Sequence, residues 1–454
     1  MSDQGVRAFY KKFIARRPTV VLIVAAVLLP NAVFFVAMAL GIGTPVRAVA
    51  ILAYLVVGLL ARHVRPWLVV ALYAGVFAYD VASTTALLFG LSFVEMFTVL
   101  KFALEVRLFA SPLYLGAGFG LVVSAVLALR LLIGKRTLVR KAGVFPALVA
   151  GLVVMGLDVA VNSIANYQFG TAFAQGKPFA SALKSSGLSQ RLDRQTVPRN
   201  VLVVMVESLG VFKNPDHRAL LEQPFTTPEV AERYDVRWGD TVYYGSTTAA
   251  EMRELCASRR TYQSLLSGPK TDCLPKKMAD LGYQTLAVHG FSSRMFERQN
   301  WYPELGFQSM LFAEDLAPLG WPRCGAVFLG MCDTDVLRYL GTILKTARKP
   351  TFLYMLSLNT HIPVAPKPQR GPLDCRGGGR FGDKEVCNMA GMWAELFAAV
   401  AALALSPQNA PLDILIVGDH APPLWSRQQR GLFKPGRVPW LLLSAKAIRA
   451  DQTP

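Results

Sequence analysis

Residues 201–210 read VLVVMVESLG, six apolar residues followed by a carboxylate, Glu207. A short unbroken apolar run of this kind marks a strand buried on both faces. Three other runs have the same form. TLAV at 285–288 ends in His289, TFLYMLSL at 351–358 ends in Asn359, Thr360 and His361, and DILIV at 413–417 ends in Gly418, Asp419 and His420. Helical stretches over 247–259, 273–281 and 391–404 lie between them. Buried strands alternating with helices predict an α/β domain with a mainly parallel sheet, here from 199 to 454. Ligands of such sheets bind beyond the carboxyl ends of the strands. Four strands therefore bring carboxylates and imidazoles to one edge. Of the five histidines in the chain, His289, His361 and His420 take such positions, and His63 falls in a loop of the N-terminal region. A single polar residue after a strand is ordinarily a turn or a cap; the set of four is the signal.

The N-terminal region has a different composition. Residues 18–46 carry no charge, and uncharged runs recur at 48–61, 66–79, 108–129 and 142–157. A bilayer core takes about 20 apolar residues per helix, so the pattern predicts five spans near 18–40, 44–62, 66–89, 111–133 and 143–164, within an anchor over 1–165. A cleaved signal peptide does not explain apolar segments that recur. Arg7, Lys11, Lys12, Arg16 and Arg17 precede the first span, Arg62 and Arg65 follow the second, and Lys135, Arg136, Arg140 and Lys141 follow the fourth. Basic loops stay in the cytoplasm. Five crossings put all three clusters on that side and everything after about residue 165 on the other. The expected location is a bacterial cytoplasmic membrane, crossed several times, with the C-terminal domain in the periplasm. Residues 90–110 have the form of an amphipathic helix in the outer interface, bordering a lipid access route or simply packing on the bundle. Asp80 and Asp158, costly inside a span, are expected near the outer helix ends, interfacial or facing the bundle. Residues 166–198 show no sustained pattern and are expected to be a linker.

Over half of the side chains are hydrophobic (53%) and the net charge is +18. That charge favours anionic partners. Nucleic acid is set aside, because no basic tail or nucleic-acid motif accompanies it. All six cysteines (Cys256, Cys273, Cys324, Cys332, Cys375 and Cys387) lie in the C-terminal part. Confined to the expected exterior, they read as disulfides, with the sequential pairs 256–273, 324–332 and 375–387 favoured because each closes a short loop. A cysteine zinc site is disfavoured, since no C-x-x-C pair occurs.

Glu207, Asp419 and His420 form a ligand set for one divalent cation. Two carboxylates and an imidazole suit Zn²⁺ or Mn²⁺ rather than an all-oxygen calcium cage. The fourth ligand is sought in YYGSTTAAEMRELC at 243–256. There Thr247 and Thr248 open a helix whose N-terminus favours phosphate. Bound to a cation, a threonine hydroxyl becomes a competent nucleophile. Ser246 or Thr247 could equally be a plain helix N-cap.

The ordered set VVMVESLG, GSTTAAEM, HGFSSRMFERQNWYPELGF, LSLNTHIP and IVGDHAP resembles the sulfatase-like phospholipid headgroup transferases of the alkaline-phosphatase superfamily. These are the lipoteichoic acid synthases, the periplasmic phosphoglycerol transferases and the lipid A phosphoethanolamine transferases. The resemblance covers the globular part and the five-span anchor. It implies Glu207, Thr247, Asp419 and His420 as metal ligands, Thr247 also as the nucleophile, and Arg298 and His361 as substrate-binding residues. Phe296 stands where the synthases carry a tryptophan, and His289 is a further candidate for the pocket. The activity implied is transfer of phosphoglycerol or phosphoethanolamine from a phospholipid donor to an envelope glycan or lipid acceptor, by a monomer. The rival is a sulfatase-like hydrolase or phosphodiesterase, although GSTTAAEM lacks the C/S-x-P-x-R pattern of true sulfatases. The orientation is directly testable. A fluorescent protein that matures only in the cytoplasm should fluoresce when inserted in the loop at 135–141 and stay dark when fused after residue 446. Fluorescence from both positions refutes an odd number of crossings.

Overall fold

The computed structural model describes residues 17–88, 93–169, 178–193, 199–268, 272–364, 373–407 and 410–446. They form two units, one of Met1–Thr98, Pro112–Phe169 and Trp425–Arg427, the other of Val99–Ser111, Gly170–Leu424 and Gln428–Pro454.

The first unit is built from five apolar helices: α1 (Pro18–Ala39), α2 (Ala48–Leu60), α3 (Pro66–Leu88), α4 (Pro112–Gly134) and α5 (Val144–Phe169). Four of them are long and apolar enough to cross a membrane. The exception is α2, whose 13 residues rise only about 20 Å, because Gly41–Arg47 is not helical. Within α1, Pro30 lacks the N–H that an α-helix needs, and the chain passes through a π turn at Val24–Leu28 and a 3-10 turn at Leu29–Asn31. Glycines let helices meet closely. A Cβ on Gly58 would lie 2.2 Å from Ala26 Cβ, and one on Gly151 would lie 2.5 Å from Leu55 Cδ2.

Asp80 and Asp158 face the bundle and are buried. Their partner is Arg47, whose Nε and Nη2 donate to Asp80 at 2.8 and 2.5 Å, while Nη1 donates to Asn31 Oδ1 at 2.9 Å. The Arg47 amide donates to Asp158 at 2.7 Å, and Asn162 donates to the other Asp158 oxygen at 2.8 Å. Trp425–Arg427 is counted with this unit, where Gly43 N donates to Trp425 O at 2.8 Å.

The second unit is the expected α/β domain. Its seven-stranded sheet has the order β2-β9-β8-β1-β7-β3-β4, with β1 Asn200–Val206, β2 Tyr234–Val242, β3 Gln284–His289, β4 Ser309–Leu311, β7 Thr351–Leu356, β8 Leu412–Gly418 and β9 Arg437–Ala445. Arg323–Cys324 (β5) and Gly330–Met331 (β6) make a separate small ribbon. The pairs β8–β1, β1–β7, β7–β3 and β3–β4 are parallel, and β9 runs antiparallel to both β8 and β2. Residues of β1, β7 and β8 are buried throughout, as their unbroken apolar runs require. The helix Lys384–Leu405 has the length and apolarity of a membrane span. It is instead a core helix, with Val386, Met389, Trp393 and Val400 fully buried.

Two expectations are corrected. Residues 178–193 are not a featureless linker: Ala182, Leu183, Leu188 and Leu192 join the main core of this unit, and the amides of Ala182 and Leu183 donate to Glu254 at 3.0 and 2.8 Å. The 90–110 segment is not one continuous helix, since Phe93–Val99 gives way to short 3-10 turns at Leu100–Phe102 and Leu108–Ala110. The cysteines pair as 256–273, 324–332 and 375–387. In the first unit, Asp80→Ala leaves the Arg47 guanidinium buried without its carboxylate, which costs about 3–5 kcal/mol. A clear fall in the detergent-solubilised unfolding temperature is expected, and an unchanged one refutes the interaction's importance.

Candidate active site

The site is assembled where β1 and β8 end side by side. Their register pairs Val206 with Gly418, so Glu207 and Asp419 emerge next to each other. The chain then turns sharply at Ser208, whose φ of 55° lies in the left-handed region, a conformation costly without glycine. Two hydrogen bonds offset that cost. Ser208 N donates to Asp419 Oδ1 at 2.7 Å and Ser208 Oγ donates to Glu207 Oε1 at 2.8 Å. Gly418 is required by proximity, because a Cβ there would lie 2.3 Å from Leu209 O. Glu207 is further held by Ser357 Oγ, which accepts its amide at 2.9 Å, and by Thr360 Oγ1, which donates to its carbonyl at 2.6 Å.

Thr247 is the first residue of α6 (Thr247–Cys256), and Ser246 occupies the N-cap position without a side-chain cap bond. The Thr247 hydroxyl donates instead to Asp419 Oδ2 at 3.0 Å, with Glu207 Oε2 at 3.3 Å. It is thus turned toward two carboxylates, which a helix cap would not do. The nearest side-chain partner of Thr248 is the Ser246 hydroxyl, at 3.5 Å. His420 donates from Nδ1 to Ala421 O at 3.0 Å, which leaves a lone pair on Nε2. That nitrogen lies 3.4 Å from Asp419 Oδ2 and 3.6 Å from Glu207 Oε1.

Two buried carboxylates this close repel each other. Burial, followed by the charge of Glu207, raises the Asp419 carboxyl to about 7. The ligand atoms of Glu207, Asp419 and His420 all lie within 4.8 Å of one another. Two carboxylates, an imidazole lone pair and a hydroxyl, converging with surplus negative charge, have the chemistry of a divalent-cation site.

The residues around this cluster were not evident in the sequence. Arg253 and Glu254 are buried on α6. Arg253 donates from Nη2 to Gly418 O at 2.8 Å and from Nη1 to Asp419 O at 3.2 Å, bracing the turn that carries Asp419. Its Nε pairs with Glu254 at 2.6 Å. Asp333 accepts the amides of Leu358 and Asn359 at 2.9 Å each, and so fixes the loop leading to His361. For Arg253 and Glu254 the available signal was three ionisable residues within the EMRE tetrad at 251–254.

His361 donates from Nδ1 to Ile362 O at 2.9 Å, and its ring centroid lies 3.6 Å from that of Phe328. Burial lowers its pKa to about 4, so it is neutral near pH 7 with a lone pair on Nε2. His289 is buried, with Nδ1 3.0 Å from Leu356 O. Burial and then Arg298 lower its pKa to about 3. Phe296 adopts φ 55° and packs on Phe102, with ring centroids 5.7 Å apart.

Arg298 corrects an expectation. It is 2% exposed, and its Nε and Nη2 donate to Glu251 at 3.2 and 3.0 Å while Nη1 donates to Met295 O at 3.3 Å. Tyr302 and Tyr354 also donate to Glu251. The fork of donors holds a buried carboxylate that needs a partner, so this guanidinium is a brace of the domain rather than a free phosphate ligand.

Residues 199–378 match the sulfatase family model. The match includes Glu207 and Thr247 and ends before Asp419 and His420. No curated protein matches the chain in sequence. Among solved structures, it is similar to the lipoteichoic acid synthase LtaP of Listeria monocytogenes at 15% identity and TM-score 0.41, over 54% of this chain and 65% of that one. It is similar to the Streptococcus pyogenes phosphoglycerol transferase GacH, in complex with sn-glycerol-1-phosphate, at 15% identity and TM-score 0.41, over 58% of this chain and 72% of that one. The integral membrane lipooligosaccharide phosphoethanolamine transferase A of Neisseria meningitidis matches at 13% identity and TM-score 0.38, over 84% of this chain and 81% of that one.

The cation site makes a direct prediction. Purified wild-type protein should carry a stoichiometric divalent metal by elemental analysis. Asp419→Asn and His420→Ala should each lose it, and Thr248→Ala should keep it. Retention of metal by both ligand variants refutes the assignment.

Proposed function

We infer that the chain transfers a phospholipid headgroup, phosphoglycerol or phosphoethanolamine, to an envelope glycan or lipid acceptor through a phospho-Thr247 intermediate. The reading places the reaction on the outer side of a bacterial cytoplasmic membrane. The observation that carries it is the Thr247 hydroxyl, held against the carboxylates of both Glu207 and Asp419 at the start of a helix. An inert cap would bond to its own helix. A nucleophile needs negative groups or a cation at its oxygen, and a helix N-terminus to receive a phosphoryl group.

Glu207, Asp419 and His420 would hold one divalent cation, Zn or Mn, with Thr247 as a further ligand. When bound, the cation supplies charge stabilisation and lowers the pKa of the hydroxyl. The remaining steps belong to the chain. Thr247 Oγ1 forms a bond to the headgroup phosphorus, the phosphorus–oxygen bond to diacylglycerol breaks, and the proton from Thr247 ends on the glycerol oxygen. Amides of the first turn of α6 receive the non-bridging oxygens. In the second half, neutral His361 accepts the proton of an acceptor hydroxyl at Nε2. The acceptor oxygen bonds to phosphorus, the bond to Thr247 Oγ1 breaks, and Thr247 recovers the proton. Apolar helices in the same chain keep the domain at the membrane that holds the donor.

Incubation of metal-loaded protein with defined phospholipids, acid quench and intact mass measurement test this reading. The expected result is an added phosphoglycerol or phosphoethanolamine mass on the wild type and none on Thr247→Ala. Loss of turnover in that variant should be on the order of a thousandfold or more. Absence of an adduct with every phospholipid, or full activity in Thr247→Ala, overturns it.

A further inference from the structure

Residues Val99–Ser111 precede a membrane-length helix, yet they are counted with the α/β unit. Their inner face is anchored there. Phe102 is 4% exposed in a cluster with Phe291, Met295 and Leu358, against which Phe296 and Phe328 also pack. Arg107 N donates to Val327 O at 2.9 Å, and Lys101 pairs with Glu297 at 2.8 Å. The wall then continues to the site. Phe291 and Phe328 have centroids 5.9 Å apart, and Phe328 packs against His361. Val327 and Phe328 lie in the loop closed by the Cys324–Cys332 disulfide, which holds this wall in place.

The outer face of the same strap is exposed among the described residues. Leu104 is 96% exposed and Phe109 is 85% exposed, with Leu100 and Leu108 at 52% and 43%. Large apolar side chains grouped in this way mark a contact surface. Chain continuity identifies its occupant. Phe109 is three residues before Pro112, the first residue of α4, and three residues reach at most about 11 Å. Phe109 is therefore covalently tied to within about 11 Å of the start of an apolar helix of membrane-spanning length. Arg107, exposed, adds a positive charge that suits the phosphate level of a bilayer.

We propose that residues 99–111 form a platform for the donor phospholipid: Leu100, Leu104, Leu108 and Phe109 sit among the acyl chains, and the headgroup passes along the Phe102–Phe291–Phe328 wall toward His361. The platform rests on the headgroup-transfer reading for its substrate, but its contact with lipid is independent of that reading.

The test uses the full chain in nanodiscs of phosphatidylethanolamine and phosphatidylglycerol. All six native cysteines are in disulfides, so a nitroxide can be attached at Phe109→Cys alone. Oxygen should relax the label more than a water-soluble nickel chelate does. Greater relaxation by nickel, meaning water, or protection from both, meaning protein or a second copy, overturns the platform. In mixed micelles, the double variant Leu104→Ser/Phe109→Ser should raise the KM for phospholipid about tenfold and leave turnover of a short soluble aryl phosphodiester unchanged, which also shows that it is folded. Equal phospholipid KM in variant and wild type overturns the proposal. A label in lipid on a wild type that turns over the aryl ester but no phospholipid overturns the transfer reading and leaves the lipid contact standing.

Discussion

Two carboxylates, Glu207 and Asp419, are held out of water against one threonine hydroxyl, and the site depends on that arrangement. Like charges in a low-dielectric pocket repel, and the cost falls only if one takes up a proton or a cation sits between them. The upward push on Asp419 expresses that tension. Its location follows from the sheet. Strands β1 and β8 are parallel neighbours with Val206 opposite Gly418, so the residue after each must emerge beside the other. The left-handed Ser208 and the missing side chain of Gly418 are local consequences of bringing two strand ends that close.

A second layer of charge keeps the first in place. Arg253 binds the carbonyls of Gly418 and Asp419, and Glu254 ties Arg253 to the segment at 182–183. Asp333 gathers the amides of Leu358 and Asn359 ahead of His361. Glu251 and Arg298 neutralise each other behind α6. Buried charges of this number are tolerable only because each has a partner with good geometry, and each pair joins elements distant in sequence. The N-terminal unit solves the same problem in the same way, with Arg47 shared between two aspartates and an asparagine. In hydrocarbon, the alternative is an unpaired charge.

The strand runs, their polar ends and the apolar helices were legible in the chain, because burial on two faces and membrane solvation impose composition directly on sequence. The short cysteine spacings also fit the pairs that form. Less was legible where partners are far apart in sequence. Residues 178–193 looked featureless because their apolar positions are few, and their order depends on Glu254 some seventy residues later. The role expected for Arg298 rested on a motif. The structure gives the guanidinium to Glu251, whose carboxylate no local pattern links to it.

By itself the sequence determined which elements exist, which strand ends carry carboxylates and imidazoles, and which segments are apolar enough to prefer lipid, since those properties arise from each residue's own solvation and from its near neighbours. Only the tertiary structure decided that Thr247 is turned toward carboxylates rather than capping its helix. Its two partners arrive from strands 40 and 172 residues away, and the choice between a cap bond and a carboxylate is made by whichever acceptor packing brings within reach.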